Sequence, residues 1–427
     1  MTTQPQPAGS WLNAPAHHAW LASEGQRLLS FAKASRLADG FGNLDDKGQL
    51  PANAVAETMN TARMTHSFAM AHAMGLPGYA ELVEHGVAAL SGPLRDNTHG
   101  GWFAAAHAVD GNTGKAAYLH AFVALAASSA VVAGAPGAQA LLNQAIQMIE
   151  QFFWSEEEGV MLESFAQDWS GLEAYRGANS NMHATEAFLA LADVTADTRW
   201  LDRALRIVER VIHTHAASNR FMVIEHFDTQ WTPLFGYNED NPADGFRPYG
   251  ITPGHGFEWA RLVLHLEAAR LQAGLATPDW LVTDAKGLFA SACDYAWAVD
   301  GAPGIVYTLD WNQRPVVRER LHWTHAEASA AAQALLKRTF DPHYETWYRR
   351  FWEFCDAHFI DRIHGSWHHE LSPQNQPSSK IWGGKPDLYH AWQAVLLPTL
   401  PLAPSMASAL GRGCYEIGRA SCRERVS

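Results

Sequence analysis

Two kinds of helical pattern alternate along this chain, and few architectures satisfy both at once. In residues 140–153, Leu142, Ala145, Ile146, Ile149, Phe152 and Phe153 recur at helical spacing, and Leu201, Ala204, Leu205, Val208, Val211 and Ile212 repeat that spacing. Each is an amphipathic helix with one wet face. Between such helices lie stretches that are apolar or small on nearly every face, at 116–134, 182–192, 255–269 and 326–336. A helix apolar all round is buried all round. The chain therefore predicts outer helices near 16–36, 78–91, 137–153, 197–215, 278–299 and 342–359. Inner helices are expected near 60–75, 115–134, 180–194, 255–273, 323–338 and 386–398. Repeated pairs of this size imply one array. The expected fold is all-α, an (α/α)6 barrel with six inner helices ringed by six outer ones. Two β-prone stretches, FMVIEHFDTQW from Phe221 and GIVYTLDW from Gly304, read as short hairpins over one barrel mouth.

Composition narrows the function. The chain has 427 residues and a net charge of −13, which disfavours a broad surface for a phosphate backbone, so no nucleic-acid partner is expected. No apolar run approaches the roughly 20 residues of a membrane span, and no membrane partner is expected. The start, MTTQPQPAGSW, has no basic segment and apolar core of a secretory signal. Four cysteines without metal-ligand spacing suit a reducing compartment, and the expected location is the cytoplasm. One catalytic domain is expected over 1–413. Residues 414–427, ending YEIGRASCRERVS, are polar, basic and aperiodic and read as a vector-derived tail. The sequence leaves the oligomeric state open, a homo-oligomer included. Two counts stand out, 22 His and 17 Trp. A Trp face covers the C–H face of a sugar, although large helical proteins also use Trp as core filler.

Polar groups on the buried helices mark a site. TARMTHSFAMAHAM carries Arg63 and His66, and NSNMHATEAF carries Asn179, Asn181, His183 and Glu186. TPGHGFEWARL carries His255 and Glu258, HWTHAEASAAA carries His325 and Glu327, and KPDLYHAWQAV carries Asp387 and His390. Inner helices of one barrel run in the same direction, so their polar starts converge at one mouth, as in a small-molecule pocket. Two chemistries fit. The i,i+3 pairs His183/Glu186 and His255/Glu258 could hold a dimetal centre with help from Glu327 and Asp387. Alternatively, the carboxylates fix the tautomers of imidazoles that move protons. No phosphate-binding glycine motif and no nucleophile elbow is present, so no nucleotide cofactor is implied.

At these motifs the chain resembles the N-acylglucosamine 2-epimerase superfamily, in its aldose–ketose isomerase branch. The matching segments run from GFGNLDDKGQ at Gly40 through TARM, LRDNTHGGWFA, FFWSEEE, YRGANSNMHATEAF, EHFDTQWTPL, TPGHGFEWARL, GIVYTLDW and VVRER to KPDLYH at Lys385. They span roughly residues 10–405. The resemblance implies a cofactor-free, metal-independent enzyme acting on a monosaccharide. In it, His255 and His390 match the paired acid/base histidines, and Glu258 matches the carboxylate beside the first. Asn179 and His183 match sugar-contacting positions, and Arg63 matches the arginine that holds sugar hydroxyls. Trp102 and Trp382 are expected to wall the pocket. The implied chemistry is ring opening by His255, then transfer of the C2 proton to C1 by His390 through an enediol; the reverse assignment fits the sequence equally well.

Two positions bear on substrate. In sulfosugar members of the superfamily a Trp stands four residues before the TARM arginine, and a Gln lies in the segment matching GSWHHEL, both near the substrate's C6 end. Here they are Met59 and His369. The resemblance thus favours an unsubstituted aldose, D-mannose giving D-fructose, with D-lyxose giving D-xylulose as a side activity. Isomerisation of sulfoquinovose and sugar 2-epimerisation are the alternatives. From another class, a glycoside hydrolase on the same barrel would recruit Glu186, Glu258 and Glu327 as paired carboxylates.

Overall fold

The computed structural model describes residues 9–415 and is an (α/α)6 barrel. The inner ring is α2 (Thr58–Ala73), α4 (Ala117–Val132), α6 (Ala178–Thr195), α8 (Pro253–Gln272), α10 (His322–Thr339) and α12 (Tyr389–Leu396). The outer ring is α1 (Pro15–Ala32), α3 (Ala80–Ser91), α5 (Ala138–Met148), α7 (Arg199–Val208), α9 (Trp280–Ala296) and α11 (Pro342–Phe354). Every expected helix is present. α12 starts later than expected, with Asp387 and Leu388 ahead of it and Asp387 Oδ1 accepting from the His390 amide at 3.4 Å. α5, α7 and α11 each end in a wider, π-helical turn, at Ile149–Phe153, Glu209–Ala216 and Cys355–Phe359.

Each inner helix packs on its inner neighbours and on the outer helix that follows it, while α12 packs on α1, so the first helix closes the ring. Inner helices are nearly all buried, and α10 shows why they fit. Its buried face includes Ala326, Ala328, Ala330, Ala331, Ala332 and Ala334, small enough to sit near a crowded axis. Outer helices bury one stripe, as α7 does with Trp200, Leu201, Ala204, Ile207 and Val208. A final short helix, α13 (Met406–Gly411), packs across α2, α4 and α6. Cys414 and Tyr415, the start of the stretch read as foreign, lie half-buried against this core. Residues 416–427 lie outside the described residues.

The β structure differs from the local hairpins expected at one point. The 304 stretch does form one, pairing Thr308–Leu309 with Pro315–Val317. In the 221 stretch, however, His226–Phe227 pairs with the distant Arg176–Gly177. This is one instance of a repeat. The residues leading into an inner helix pair with the loop after the next outer helix: Lys115–Ala116 with Ser164–Phe165, Arg320–Leu321 with Glu370–Leu371, Glu57 with Ala105, and Ile251 with Leu309. The first amides of α2, α4, α6 and α10 thereby find acceptors at Ala104, Glu163, Glu225 and His369. These four N–H groups would otherwise be orphaned helix-start donors. The ladders form a collar around the mouth where the inner helices begin, and collar residues reach the site.

Candidate active site

Inside the collar is a cavity of about 820 Å³, open to solvent. Its lining includes nine of the ten residues expected from sequence: Met59, Arg63, Asn179, His183, His255, Glu258, His369, Trp382 and His390. Trp102 is the exception. It is fully buried away from the cavity, donates its indole N–H to the Leu90 carbonyl at 2.6 Å, and packs edge-on against His120. A Trp on a loop between helices carries no periodicity to say which way it faces, and this one is core filler. His66 and His325 are also structural. His66 Nδ1 is hydrogen-bonded to Ser129 Oγ at 2.7 Å, and His325 Nε2 accepts from the Ile305 amide at 3.0 Å.

The inner helices begin at the collar, so their partially positive N-terminal ends surround the cavity. His255 lies in the first turn of α8 and His390 in the first turn of α12. Both rings lie near Trp323, with centroids 5.1 Å and 5.8 Å from its own. Each has its Nδ1 bound by a carboxylate. His255 Nδ1–H donates to Glu225 Oε1 at 2.8 Å, and His390 Nδ1–H donates to Asp387 Oδ2. A carboxylate only accepts, so each ring is held in one tautomer with Nε2 left for chemistry.

The partner of His255 corrects the expectation. Glu258 does not steady His255. It lies one turn deeper, 3.8 Å from His183 Nδ1 and 3.8 Å from Arg261. Glu225 comes instead from the collar, 30 residues away in sequence. It sits in EHFDTQW, a segment that matches the superfamily, but no helical spacing links it to His255.

Beneath the cavity, Arg261 gathers three carboxylates, at 2.8 Å from Glu327 and 3.8 Å from both Glu186 and Glu258. One guanidinium does not offset three charges. Burial and the neighbouring Glu327 push the Glu258 carboxyl well above its ordinary range. Glu186 is kept ionised despite its burial by His183, Arg261 and Tyr389. Burial pushes His183 down to about 3 and His322 down to about 4, and His369 falls well below its ordinary value. These imidazoles are neutral. His322 and His369 stack at 3.9 Å, and each presents a buried Nε2 with no hydrogen-bond partner. Arg63 supplies the fixed positive charge, 3.6 Å from Asp387 Oδ2, with its guanidinium donating to Tyr118 Oη at 2.9 Å and lying over Phe122. Burial opposes ionisation of Asp387, but His390 and Arg63 hold its carboxyl well below the usual range.

Sequence reasoning missed Tyr118, Tyr307, Trp323 and Phe246, which also line the cavity. Trp323 stands beside His322 at the start of α10, in the His-rich HWTHAE, and that placement was the available signal. Among the described residues, three groups have ligand atoms close enough for a metal ion: His322/Asp387/His390, His183/Glu186/Glu258 and Glu258/Glu327/His390. The two i,i+3 pairs read from sequence do not form one centre, because His255 turns to Glu225.

Comparison with known proteins gives consistent results. A family profile described as N-acylglucosamine 2-epimerase (GlcNAc 2-epimerase) matches residues 40–394. A D-mannose isomerase of Pseudomonas cannabina pv. alisalensis is 70% identical over 401 residues, covering 94% of this chain and 97% of its own. A D-mannose isomerase of Thermobifida fusca is 50% identical over 405 residues, covering 94% and 98%. A solved D-mannose isomerase structure superposes with a TM-score of 0.82 at 28% identity, covering 89% of this chain and 97% of that one.

Proposed function

The chain belongs to the N-acylglucosamine 2-epimerase family, and we propose from that premise that its cavity opens a hexose ring and moves a proton between C2 and C1. The reaction is the isomerisation of D-mannose to D-fructose. The observation that carries the mechanism is the pair of carboxylate-held imidazoles, His255 on Glu225 and His390 on Asp387. A C2 proton beside an aldehyde is a weak acid, and the sugar is mostly a closed ring. His255 Nε2 passes a proton between O1 and O5, which breaks the C1–O5 bond and frees the aldehyde. His390 Nε2 removes the C2 proton as the electrons move into a C1–C2 double bond and O1 takes a proton, giving the enediol. The same imidazolium returns its proton to C1 while O2 loses one, and the ketose forms. Arg63, the neutral His183 and Asn179 surround the oxygens on which negative charge develops.

Charge supports a neutral sugar. Arg63 is matched by Asp387, and His322 and His369 carry no charge to offset the desolvation of a sulfonate. D-lyxose, which lacks only C6, is the second substrate of this reading. The hydrolase alternative loses support because Glu186, Glu258 and Glu327 are gathered on Arg261 rather than set on two sides of a glycosidic bond. The free, buried thiols of Cys293 and Cys355 suit a cytoplasmic enzyme, and no described helix is long and apolar enough to cross a membrane.

The test is a panel of D-mannose, D-lyxose, sulfoquinovose and N-acetylglucosamine at pH 8, followed for ketose and for C2 epimer. Ketose from mannose at a kcat/KM well above that for sulfoquinovose is expected. A preference for sulfoquinovose, or an epimer as main product, would replace the substrate assignment.

A further inference from the structure

The segment GSWHHEL contributes His369 to the cavity, but the next residue has no part in the chemistry above. Glu370 is fully buried, and its side chain lies in the loop that follows it. The chain after Leu371 turns back through Ser372–Gln376, and Ser378 then donates its amide to the Glu370 carbonyl. Four donors converge on the Glu370 carboxylate. Oε1 accepts from Ser378 Oγ at 2.6 Å and the Lys380 amide at 2.8 Å. Oε2 accepts from the amides of Ile381 at 2.7 Å and Trp382 at 2.9 Å. Such charge-assisted bonds hold a loop that has no helix or long strand of its own.

This loop carries a wall of the cavity. The Trp382 ring lies edge-on to Phe246 at 5.4 Å, and Gly245 comes so close that an added Cβ would stand 2.9 Å from the indole. Trp382 lines the cavity, and its Nε1–H is buried and has no hydrogen-bond partner. A buried donor without a partner, in a sugar pocket, is a place for a hydroxyl oxygen. The side chain at 370 must therefore accept from every direction. A glutamine of the same shape would turn an NH2 toward two of the four donors.

We infer that Glu370 is a positioning residue for substrate binding: its carboxylate sets the backbone of residues 380–382 and thereby the ring and N–H of Trp382 against the sugar. The inference rests on the cavity being the sugar site, which ketose formation by the wild-type enzyme tests separately. The variants test Glu370 through KM and its dependence on Trp382.

Steady-state rates with D-mannose are measured for Glu370→Gln, Trp382→Phe and the double variant, with melting curves on each. Glu370→Gln is expected to raise KM about tenfold with kcat within about twofold. Trp382→Phe, which keeps a ring but loses the N–H, should raise KM likewise. The double variant should be no worse than the poorer single one, because both changes remove the same contact. Effects that multiply would overturn the inference, as would a fall in kcat at constant KM. Should Glu370→Gln fail to fold, Ser378→Ala removes one donor and leaves the carboxylate. Its expected rise in KM, two- to threefold, must vanish in the Trp382→Phe background, and an unchanged KM in the wild-type background would equally overturn the role.

Discussion

Which nitrogen of His390 meets the substrate is decided by a single neighbour. Asp387 takes the Nδ1 proton, and Asp387 is itself flanked by Arg63 and His322 at 3.6 Å. In Asp387→Asn, Arg63 would attract the amide oxygen and leave the NH2 facing Nδ1. The ring would then carry its proton on Nε2 and lose its base. We expect kcat to fall by about 10²–10⁴, near the loss from His390→Asn, since either change removes one general base. A variant keeping a tenth of wild-type turnover would take Asp387 out of this role. Dialysis against EDTA should leave turnover unchanged, because the Glu186 and Asp387 carboxylates of the two His-led groups are already committed to neighbours. Glu186 is bonded to Tyr389 and Gln393, and Asp387 to His390. Loss of activity that returns with Mn²⁺ or Zn²⁺ would make the His183/Glu186/Glu258 group a metal site. At this scale the sequence was legible where two groups share a helix turn, as Asp387 and His390 do. It was misleading for His255, where an i,i+3 carboxylate was in view and the true partner, Glu225, arrives across the collar.

Between elements, the spacing of outer on inner helices depends on a few close approaches. Gly86 of α3 faces Thr65 of α2, and a Cβ built there would stand 1.9 Å from Thr65 Oγ1. That hydroxyl is committed to the Thr61 carbonyl at 2.6 Å, and a β-branched side chain in a helix has little rotamer freedom to move aside. In an open helix Gly→Ala gains about 1 kcal/mol. Here overpacking should outweigh that gain and leave Gly86→Ala destabilised by about 1–2 kcal/mol. Urea unfolding of the variant reads the sign directly, and a stabilised protein would show that α3 can shift outward at little cost. The helices were legible because burial on one face or all faces leaves a period in the sequence. The collar was not. Its strands are mostly two residues long, too short for alternation to show, and all five of the repeated pairings join segments on either side of a whole helical hairpin.

Over the whole molecule, the abundance of histidine becomes a liability in acid. Burial pushes His66 and His322 down to about 4 and His120, His183, His265 and His325 down to about 3. Each is neutral in the folded chain and titrates near 6.5 once unfolded. Between those values the unfolded chain binds more protons, so stability rises with pH across the window and falls on acidification. The contribution is complete above pH 6.5 and drains as the pH drops toward 4. From pH 7 to 5.5 each imidazole forfeits roughly 1 kcal/mol or a little more, on the order of 6–8 kcal/mol for the six, comparable to the whole stability of an ordinary domain. Ionised carboxylates such as Asp387 and Glu186, held low in the folded state, add their own losses only at more acid pH. Urea midpoints measured at half-unit steps from pH 8 to 5 should therefore be level at the alkaline end and decline steeply below 6.5. Uptake of several protons on unfolding is expected near pH 5.5. A midpoint that stays level to pH 5.5 would mean that these histidines are charged, or hydrated, within the barrel. Activity would separate the two parts of the set. His183 and His322 line the cavity, whereas His120, His265 and His325 do not. Replacing His120 with a neutral residue should then reduce the proton uptake by about one while leaving the KM for mannose unchanged.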